Sequence, residues 1–411
     1  MPVLRNIGLL ATCRAAGGQA DIHAIPSAAL VWEGAVIQWA GPERELPSSF
    51  AQVATRDAGG QLVIPGLIDS HTHLGFGGWR AGEFQQRIQG ASYLEIAQAG
   101  GGILSSVRAT RAATADELLQ RCRGFLDDMV RLGITTVEAK SGYGLDVETE
   151  NRLLHVYRQL KVDGQVDIVP TFLGAHTVPA EFKERRGAYL DLLVNLMIPE
   201  IGAEGLAEFC DVFVEETAFT VEEARRVLGA ARQAGMGLKM HADQLRSGGG
   251  AELAAEVMAT SADHLEHASP GGVKAMAKAG VVAVSLPLAS LYLRQSPMPA
   301  REFIDAGARV AVATDFNPGS APSYHLPLAM TLACIQQRMT PAEVLKGATI
   351  YAARACGREA VAGSLEPGKR ADFALIAAPD VEHWLYHFRP NACVLTVANG
   401  LVRWDAADYS D

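Results

Sequence analysis

Hydrophobic and polar positions along the middle of the chain switch between two periods, which predict strands and helices in turn. Eight short apolar runs predict strands at Leu67–His73, Ile134–Lys140, Val166–Ala175, Asp211–Glu215, Gly237–Ala242, Ala262–Glu266, Val281–Leu286 and Arg309–Asp315. Amphipathic segments between them predict helices, among them Ala115–Leu132, Val147–Val162, Val221–Ala234 and Pro299–Ala306. Eight strand–helix units in series predict an α/β fold, a (β/α)8 TIM-like barrel, because such a barrel needs about 250 residues and residues 66–355 supply about 290.

The same pattern assigns helix starts and the two flanks of the barrel. Thr114 and Thr220 each precede an acidic first turn, which is typical of helix N-caps. Residues 1–65 and 356–411 hold short β-like runs and turns, and neither flank alone would bury a core. We therefore predict a composite domain, a small β-sandwich built from both termini, beside a barrel domain at 66–355.

Composition narrows the class of protein and its compartment. The chain has 411 residues, of which 49% are hydrophobic and 20% charged, a balance typical of a globular protein. The net charge of −10, without a basic block, argues against nucleic acid as a partner and favours a small-molecule ligand. Six cysteines stand singly, as expected of reduced thiols in the cytoplasm. The longest uncharged apolar stretch, Ala279–Leu293, contains Pro287 and is too short to span a membrane.

Two histidines end the first predicted strand. His71 and His73 follow an apolar run that begins at Val63, and they are two residues apart. Because side chains alternate faces along a strand, both imidazoles point the same way and can chelate one metal ion. An isolated His-x-His is more often an exposed pair near a turn, so further ligands are needed to decide between the two interpretations.

Polar residues at the ends of other predicted strands supply such ligands. Active sites of these barrels lie at the carboxyl ends of the strands, where the sequence places His176, His241, His264 and Asp315. A lone histidine there is more often a satisfied polar residue, but titratable groups at the same end of five strands are hard to explain in that way. Three imidazoles and a carboxylate suit Zn²⁺ or iron. A metal ion held there would lower the pKa of a bound water to about 7 and polarise a carbonyl, which favours hydrolysis of a C–N bond.

Six motifs carry a resemblance that covers nearly the full chain. The two most discriminating are Lys-Ser-Gly-Tyr-Gly-Leu at 140–145 and Asp-Phe-Asn-Pro-Gly-Ser at 315–320. The others are Gly75–Arg80, Gly100–Ile103, Phe172–His176 and His241–Gln244. The barrel as a whole resembles the amidohydrolase superfamily, and within it the sequence is similar to the imidazolonepropionase family of histidine degradation.

The resemblance implies a metal centre and a reaction. It implies one divalent or trivalent metal ion per chain, zinc or iron, held by His71, His73, His241 and Asp315. Such enzymes open the ring of 4-imidazolone-5-propanoate with water, giving N-formimidoyl-L-glutamate and no ammonia. We expect His264 to orient the water and stabilise the oxyanion, and Asp315 to pass a proton to the departing nitrogen as well as to bind the metal. Because homodimers are common in this family, we expect a homodimer here.

The propionate tail and the ring of such a substrate need contacts of their own. Arg80, on the long first loop, is expected to grip the carboxylate with its planar fork, although a loop arginine is otherwise usually solvated. Tyr143 and His176 match family positions that bind the ring and its tail, and Tyr93 is a further candidate for this pocket. The remaining candidates are the amide of Gln244 and a polar turn formed by Asn317, Gly319 and Ser320. This turn either binds the product or merely caps the following helix.

Two observations disfavour other chemistries of the superfamily. The fourth predicted strand offers no lysine to bridge two metals, which disfavours a binuclear centre. Related aminohydrolases carry a proton-donating glutamate three residues after the strand-five histidine, where this chain has Gln244, which cannot titrate. A mononuclear aminohydrolase, such as a guanine- or triazine-type deaminase, is the alternative, and it would release ammonia. A non-catalytic amidohydrolase-like protein is disfavoured because all four expected ligands are present.

Overall fold

Strands and helices alternate along most of the chain. The computed structural model describes residues 2–50, 52–90, 95 and 100–409. Its strands are β1 (Pro2–Ala11), β2 (Ala24–Glu33), β3 (Val36–Pro42), β4 (Ala54–Asp57), β5 (Leu62–Pro65), β6 (Leu67–Thr72), β7 (Ile134–Lys140), β8 (Asp167–Ala175), β9 (Phe209–Val214), β10 (Gly237–Ala242), β11 (Ser261–His264), β12 (Val282–Ser285), β13 (Val310–Val312), β14 (Phe373–Ile376), β15 (Cys393–Ala398) and β16 (Leu401–Asp405).

The described α-helices all follow β6, and most of them lie between successive strands from β6 to β13. They are α1 (Ala81–Ile88), α2 (Ile103–Ala112), α3 (Ala115–Arg131), α4 (Val147–Asp163), α5 (Arg186–Leu192), α6 (Ile198–Ala203), α7 (Val221–Gln233), α8 (Gly250–Glu256), α9 (Pro270–Ala279), α10 (Pro287–Leu293), α11 (Ala300–Asp305), α12 (Leu326–Gln337), α13 (Pro341–Gly347), α14 (Ile350–Ala355) and α15 (Val381–Tyr386). One π-helical segment, Leu193–Met197, joins α5 to α6. Within the described ranges, no helix is both long and apolar enough to cross a membrane.

Strands β6 to β13 form the predicted parallel barrel, and they pair in chain order. Each of them overlaps one of the eight apolar runs in the sequence. The barrel closes just beyond β6 and β13, where the Asp315 N–H donates to the His71 carbonyl at 3.0 Å. The His73 N–H likewise donates to the Phe316 carbonyl at 2.8 Å. Three of the predicted metal ligands therefore also supply the backbone groups that close the barrel.

Two barrel strands end two or three residues earlier than the sequence predicts. Strand β11 ends at His264 because His264 and Leu265 have φ angles of 77° and 65°. Strand β13 ends at Val312, and Asp315 beyond it has a φ angle of 56°. Left-handed backbone at residues other than glycine costs on the order of 1–3 kcal/mol and is concentrated at functional sites. Here the strain falls on the two residues predicted to be catalytic.

The helix starts follow the sequence closely. The Thr114 hydroxyl accepts a hydrogen bond from the Glu117 N–H, and the Glu117 carboxylate accepts one from the Thr114 N–H. Thr220 and Glu223 form the same reciprocal pair at the start of α7. Such capping boxes satisfy N–H groups that the first turn would otherwise leave unpaired. The predicted N-caps are thus confirmed.

Strands from both ends of the chain form a second sheet, in the order β16-β15-β14-β5-β1-β2-β3, with β4 also paired to β1. Most neighbours are antiparallel, although β1 runs parallel to β4 and β5. A separate apolar core lies against this sheet, in which the Trp32 and Phe373 rings meet edge to face at 4.9 Å. The contribution of both termini agrees with the predicted fold. The domain boundaries at residues 65 and 356 stay a prediction.

Candidate metal centre and active site

The four predicted metal ligands converge at the carboxyl end of the barrel, where all are buried. Asp315 Oδ1 lies 3.4 Å from His71 Nε2 and 3.5 Å from His73 Nε2. His241 Nε2 lies 3.3 Å from His73 Nε2. Metal–ligand bonds of about 2.0–2.1 Å at tetrahedral angles would place neighbouring ligand atoms about 3.3–3.4 Å apart. The three separations therefore fit the edges of one small coordination shell.

Two buried carboxylates orient the histidines toward this centre. His71 Nδ1 lies 2.6 Å from Asp263 Oδ2, and His241 Nδ1 lies 2.9 Å from Asp211 Oδ1. Because an ionised carboxylate only accepts hydrogen bonds, each Nδ1 carries the proton and each Nε2 keeps its lone pair. Among the described residues His71 Nε2 has no hydrogen-bond partner, although it is buried. A buried lone pair without a partner is what a metal site needs.

The protonation of the ligands agrees with this interpretation. Burial, together with the charge of Lys140, lowers the pKa of His71 to about 4, so this imidazole is neutral at pH 7. Although burial opposes ionisation, the adjacent imidazoles of His71 and His73 hold the pKa of Asp315 well below its usual range. Metal binding requires neutral imidazole and ionised carboxylate. The donor set thus fits a hard or borderline metal ion such as zinc or iron.

His264 lies at the edge of the same cluster. Its ring centroid is 5.7 Å from that of His71 and 5.5 Å from that of His241. The nearest ligand atoms of these three histidines lie within 4.8 Å of one another. Glu266 Oε1 lies 3.5 Å from His264 Nδ1, and although burial opposes protonation, this carboxylate raises the pKa of His264. His264 can therefore hold a proton next to the metal centre.

A buried network of charged residues lies beneath the centre. Lys140 Nζ donates to Asp211 Oδ2 at 2.7 Å and to Glu138 Oε1 at 2.8 Å. It also lies 3.5 Å from Asp263 Oδ2. No role was predicted for these residues from the sequence. A signal was present, because charged residues inside predicted buried strands must be paired, and Glu138 and Lys140 are two apart on one face of β7.

His176 and Tyr143 form a wall beside His73. The His176 ring stacks on the His73 ring at 5.0 Å with an interplanar angle of 17°. Its Nδ1 donates to the Gly142 carbonyl at 3.0 Å, which leaves Nε2 as an acceptor. The Tyr143 ring lies 5.7 Å from His73 and 5.5 Å from His176. The structure thus brings both predicted ring-binding residues to the metal centre.

Glu150 holds the loop that carries Tyr143, a role that the sequence analysis overlooked. Its buried carboxylate accepts hydrogen bonds from the N–H groups of Gly142, Gly144 and Leu145. Gly142 has a φ angle of 99°, and a Cβ there would lie 2.8 Å from the Leu173 carbonyl oxygen, so the tight turn needs glycine. The carboxylate and the turn together fix where Tyr143 stands.

Replacing Glu150 by glutamine is expected to destabilise the protein by about 1–3 kcal/mol, because the amide turns a donor toward N–H groups that need an acceptor. The melting temperature measures this loss. Glu148→Gln is the matched control, since Glu148 lies on the same helix with a side chain that is 86% exposed. Equal melting temperatures for the two variants would contradict the role given to Glu150.

Arg80 lies against the turn that follows Asp315. Its Nε and Nη2 donate to Glu83 Oε2 at 2.9 and 2.6 Å. A Cβ at Gly319 would lie 2.1 Å from Arg80 Nη1, so the guanidinium packs directly against this glycine. Part of the guanidinium fork is therefore occupied by Glu83, while Nη1 faces the turn.

The turn itself is built by Asn317. Its Oδ1 accepts from the Gly319 and Ser320 N–H groups at 2.8 and 2.7 Å, and its Nδ2 donates to the Asp315 carbonyl at 2.6 Å. The Asn317 amide thus shapes the segment behind the ligand Asp315. Whether the turn also binds substrate or product stays a prediction.

Two predicted substrate-binding residues remain, Gln244 and Tyr93. Gln244 is buried just after β10, where the preceding Asp243 accepts hydrogen bonds from the Gly248 and Ala251 N–H groups at 2.7 and 2.8 Å. Asp243 therefore fixes the segment that carries Gln244. Tyr93 lies outside the described residues.

Comparison with known proteins agrees with the geometry. The sequence profile of the amidohydrolase family matches residues 62–402. An imidazolonepropionase from Shouchella clausii is 48% identical over 375 residues, which are 90% of this chain and 84% of the relative. The chain belongs to the imidazolonepropionase family of amidohydrolases. Another imidazolonepropionase, from Geobacillus thermodenitrificans, is 47% identical over 93% of this chain and 91% of its own length.

Membership of the imidazolonepropionase family makes the chain an enzyme that acts on a small molecule. A crystal structure of an adenosine deaminase from Xanthomonas campestris with bound zinc shares the fold, with a TM-score of 0.71 and 17% identity. The similarity covers 98% of this chain and 93% of that one. The converging histidines and Asp315 support a metal-dependent enzyme of the imidazolonepropionase family.

Proposed function

We propose that this chain hydrolyses 4-imidazolone-5-propanoate to N-formimidoyl-L-glutamate in the degradation of L-histidine. The observation that carries the proposal is the identity of 48% with an imidazolonepropionase over nine-tenths of the chain. The convergence of buried imidazoles and one carboxylate at the barrel mouth supports it, since hydrolysis of a cyclic amide needs an activated water.

We propose that one metal ion, zinc or iron, is held by His71, His73, His241 and Asp315. When bound, such an ion lowers the pKa of a water to about 7 and polarises a carbonyl. The distances of 3.3–3.5 Å between ligand atoms support one ion at this place. Elemental analysis of the purified protein identifies the metal and its stoichiometry.

The reaction adds water across the ring C–N bond. The water oxygen joins the carbonyl carbon, which becomes a carboxylate, and a proton goes to the nitrogen that leaves. Asp315 is ionised and buried, so it can accept the proton of the water and pass it to that nitrogen. His264, whose pKa Glu266 raises against the effect of burial, can donate to the carbonyl oxygen as negative charge develops there.

We propose that Arg80 binds the propionate tail and that Tyr143 and His176 contact the ring. Glu83 binds Nε and Nη2 of Arg80 but not Nη1, which lies beside Gly319 in the turn after Asp315, and this supports a contact between Nη1 and the substrate carboxylate. The proposed substrate contacts are completed by Gln244, Tyr93, Asn317, Gly319 and Ser320.

For the chain as a whole, we propose a cytoplasmic homodimer without nucleic-acid or membrane partners. Light scattering tests whether the protein is a dimer.

Replacing Arg80 by methionine is expected to raise KM about 10- to 100-fold, because a charge-assisted pair with the carboxylate is lost. The metal content should not change, since Arg80 contacts none of the proposed ligands. Arg246→Met is the control, because Arg246 is an exposed arginine after β10 that pairs with Glu216. An unchanged KM in the Arg80 variant would remove Arg80 from the carboxylate site.

Following imidazolone absorbance together with an ammonia assay tests the proposed reaction. Ring opening predicts loss of absorbance, formation of N-formimidoyl-L-glutamate and no ammonia. Stoichiometric ammonia from another heterocycle, with imidazolonepropanoate inert, would instead identify an aminohydrolase. Chelation of the metal should abolish the reaction, and added zinc or iron should restore it.

A further inference from the structure

Five charged side chains fill the barrel core below the metal centre, and each is fully buried. They come from four of the eight barrel strands, β7, β9, β10 and β11, and comprise Glu138, Lys140, Asp211, Lys239 and Asp263. Burying so many charges is unfavourable unless each is paired. Such a cluster beneath an active site therefore calls for a function that apolar packing could not supply.

Two of these acids each hold a different proposed ligand. Asp211 Oδ1 lies 2.9 Å from His241 Nδ1, and its Oδ2 accepts from Lys140. Asp263 Oδ2 lies 2.6 Å from His71 Nδ1, while its Oδ1 accepts from Ser261 Oγ at 2.7 Å. Lys140 Nζ lies 3.5 Å from that same Asp263 Oδ2. One ammonium group thus contacts both carboxylates that orient the metal-binding imidazoles.

We infer that Lys140 is a positioning residue for the metal centre, fixing the carboxylates of Asp211 and Asp263 so that the Nε2 atoms of His241 and His71 converge. This inference rests on the proposed metal site. A carboxylate is free to turn about its Cβ–Cγ bond, and a donor on Oδ2 of Asp211 stops that turn with Oδ1 facing His241. Groups that hold metal ligands in this way typically change metal affinity by about 10- to 100-fold when removed.

The positive charge of Lys140 and its positioning role have opposite effects on metal affinity. The direction of the change in affinity on removing Lys140 therefore tests the inference. A buried cation repels a nearby metal ion, so a purely electrostatic role predicts that loss of Lys140 tightens metal binding. Positioning predicts that the same loss weakens it. Lys239 is the matched control: it is equally buried and contacts Glu138 at 3.4 Å and the Ser70 carbonyl at 3.1 Å, but its nearest contacts are not the histidine-bound carboxylates.

The experiment compares zinc-loaded wild type, Lys140→Met and Lys239→Met by transfer of zinc to a chromophoric chelator. We expect Lys140→Met to release zinc about tenfold faster or more, and Lys239→Met to stay within about threefold of wild type. The visible absorption of the cobalt-loaded proteins should change in Lys140→Met alone, a signature that loss of stability would not produce. Equal or slower release from Lys140→Met than from wild type overturns the inference.

Two further comparisons keep the outcome interpretable. Removing one lysine leaves three acids with one cation, so if either variant fails to fold, both substitutions are repeated with Glu138→Gln to restore the balance of charge. The same order of release is expected in the two double variants. A wrong metal site would be distinguishable from a wrong role for Lys140. In that case wild type itself would bind no zinc, and His71→Asn would not change zinc binding. This result would overturn both proposals.

Discussion

With His264 replaced by asparagine, kcat/KM for ring opening is expected to fall about a thousandfold while the protein keeps its metal. Losing a positioned acid–base group costs about 10²–10⁴-fold, and losing an oxyanion donor costs about 10²–10³-fold. His264 is placed for both roles, because it is buried beside His71 and His241 and its pKa is raised by Glu266 against the effect of burial. Asparagine keeps a polar side chain there but cannot carry the proton.

His267→Asn is the matched control for this variant. His267 lies three residues beyond His264, in the loop after β11, and is exposed, so its replacement should leave kcat/KM unchanged. Steady-state kinetics and elemental analysis of both variants give the answer. If the His264 variant lost its metal together with its activity, His264 would be a ligand, and its proposed role in proton transfer would be contradicted.

The barrel strands could be predicted from the sequence because their burial leaves continuous apolar runs. The carboxyl end of β11 could not be predicted in this way, since it is set by left-handed backbone at His264 and Leu265. Left-handed backbone is unfavourable for both residue types, so the conformational preferences of these residues do not predict it. The surrounding structure imposes it, which is why the predicted strand continues to Glu266.

The metal ligands could be predicted because each lies at or just beyond the carboxyl end of a strand, and these ends meet at one face of the barrel. The residues that orient them could not, because their pairing depends on which strands are neighbours. His71 and Asp263 are 192 residues apart, and Lys140 and Asp211 are 71 apart. The sequence shows that these charges lie within strands, but only the barrel shows which charges meet.

The loop contacts were predicted less completely for a similar reason. Arg80 was expected to bind a carboxylate, and the structure shows that Glu83 already holds its Nε and Nη2. Glu83 also accepts from the Gly102 N–H at 2.8 Å, so one carboxylate links both ends of the long first loop. The spacing of three residues between Arg80 and Glu83 at the start of α1 is visible in the sequence, whereas the contact to Gly102 depends on how the loop folds back.

Asparagine at position 315 is expected to produce the largest loss, at least about 10⁴-fold in kcat, together with loss of most of the metal. Asp315 Oδ1 lies within 3.5 Å of both His71 and His73 Nε2, so the substitution removes an anionic ligand from the middle of the cluster. It also removes the group that is proposed to carry the proton from water to the departing nitrogen. An amide can do neither, because it has no charge and does not titrate.

Asp69→Asn is the control for a buried acid on the same barrel seam. Asp69 accepts from the Thr314 N–H and hydroxyl at 3.1 and 2.6 Å, directly before Asp315 in the chain. Burial, only partly offset by the hydrogen bonds from Thr314, raises the pKa of Asp69 to about 7, so a neutral amide resembles a form that this side chain already populates near neutral pH. We therefore expect Asp69→Asn to keep its metal and Asp315→Asn to lose it. Equal metal content in the two variants would contradict the role of Asp315 as a ligand, because both changes remove one buried carboxylate from neighbouring positions.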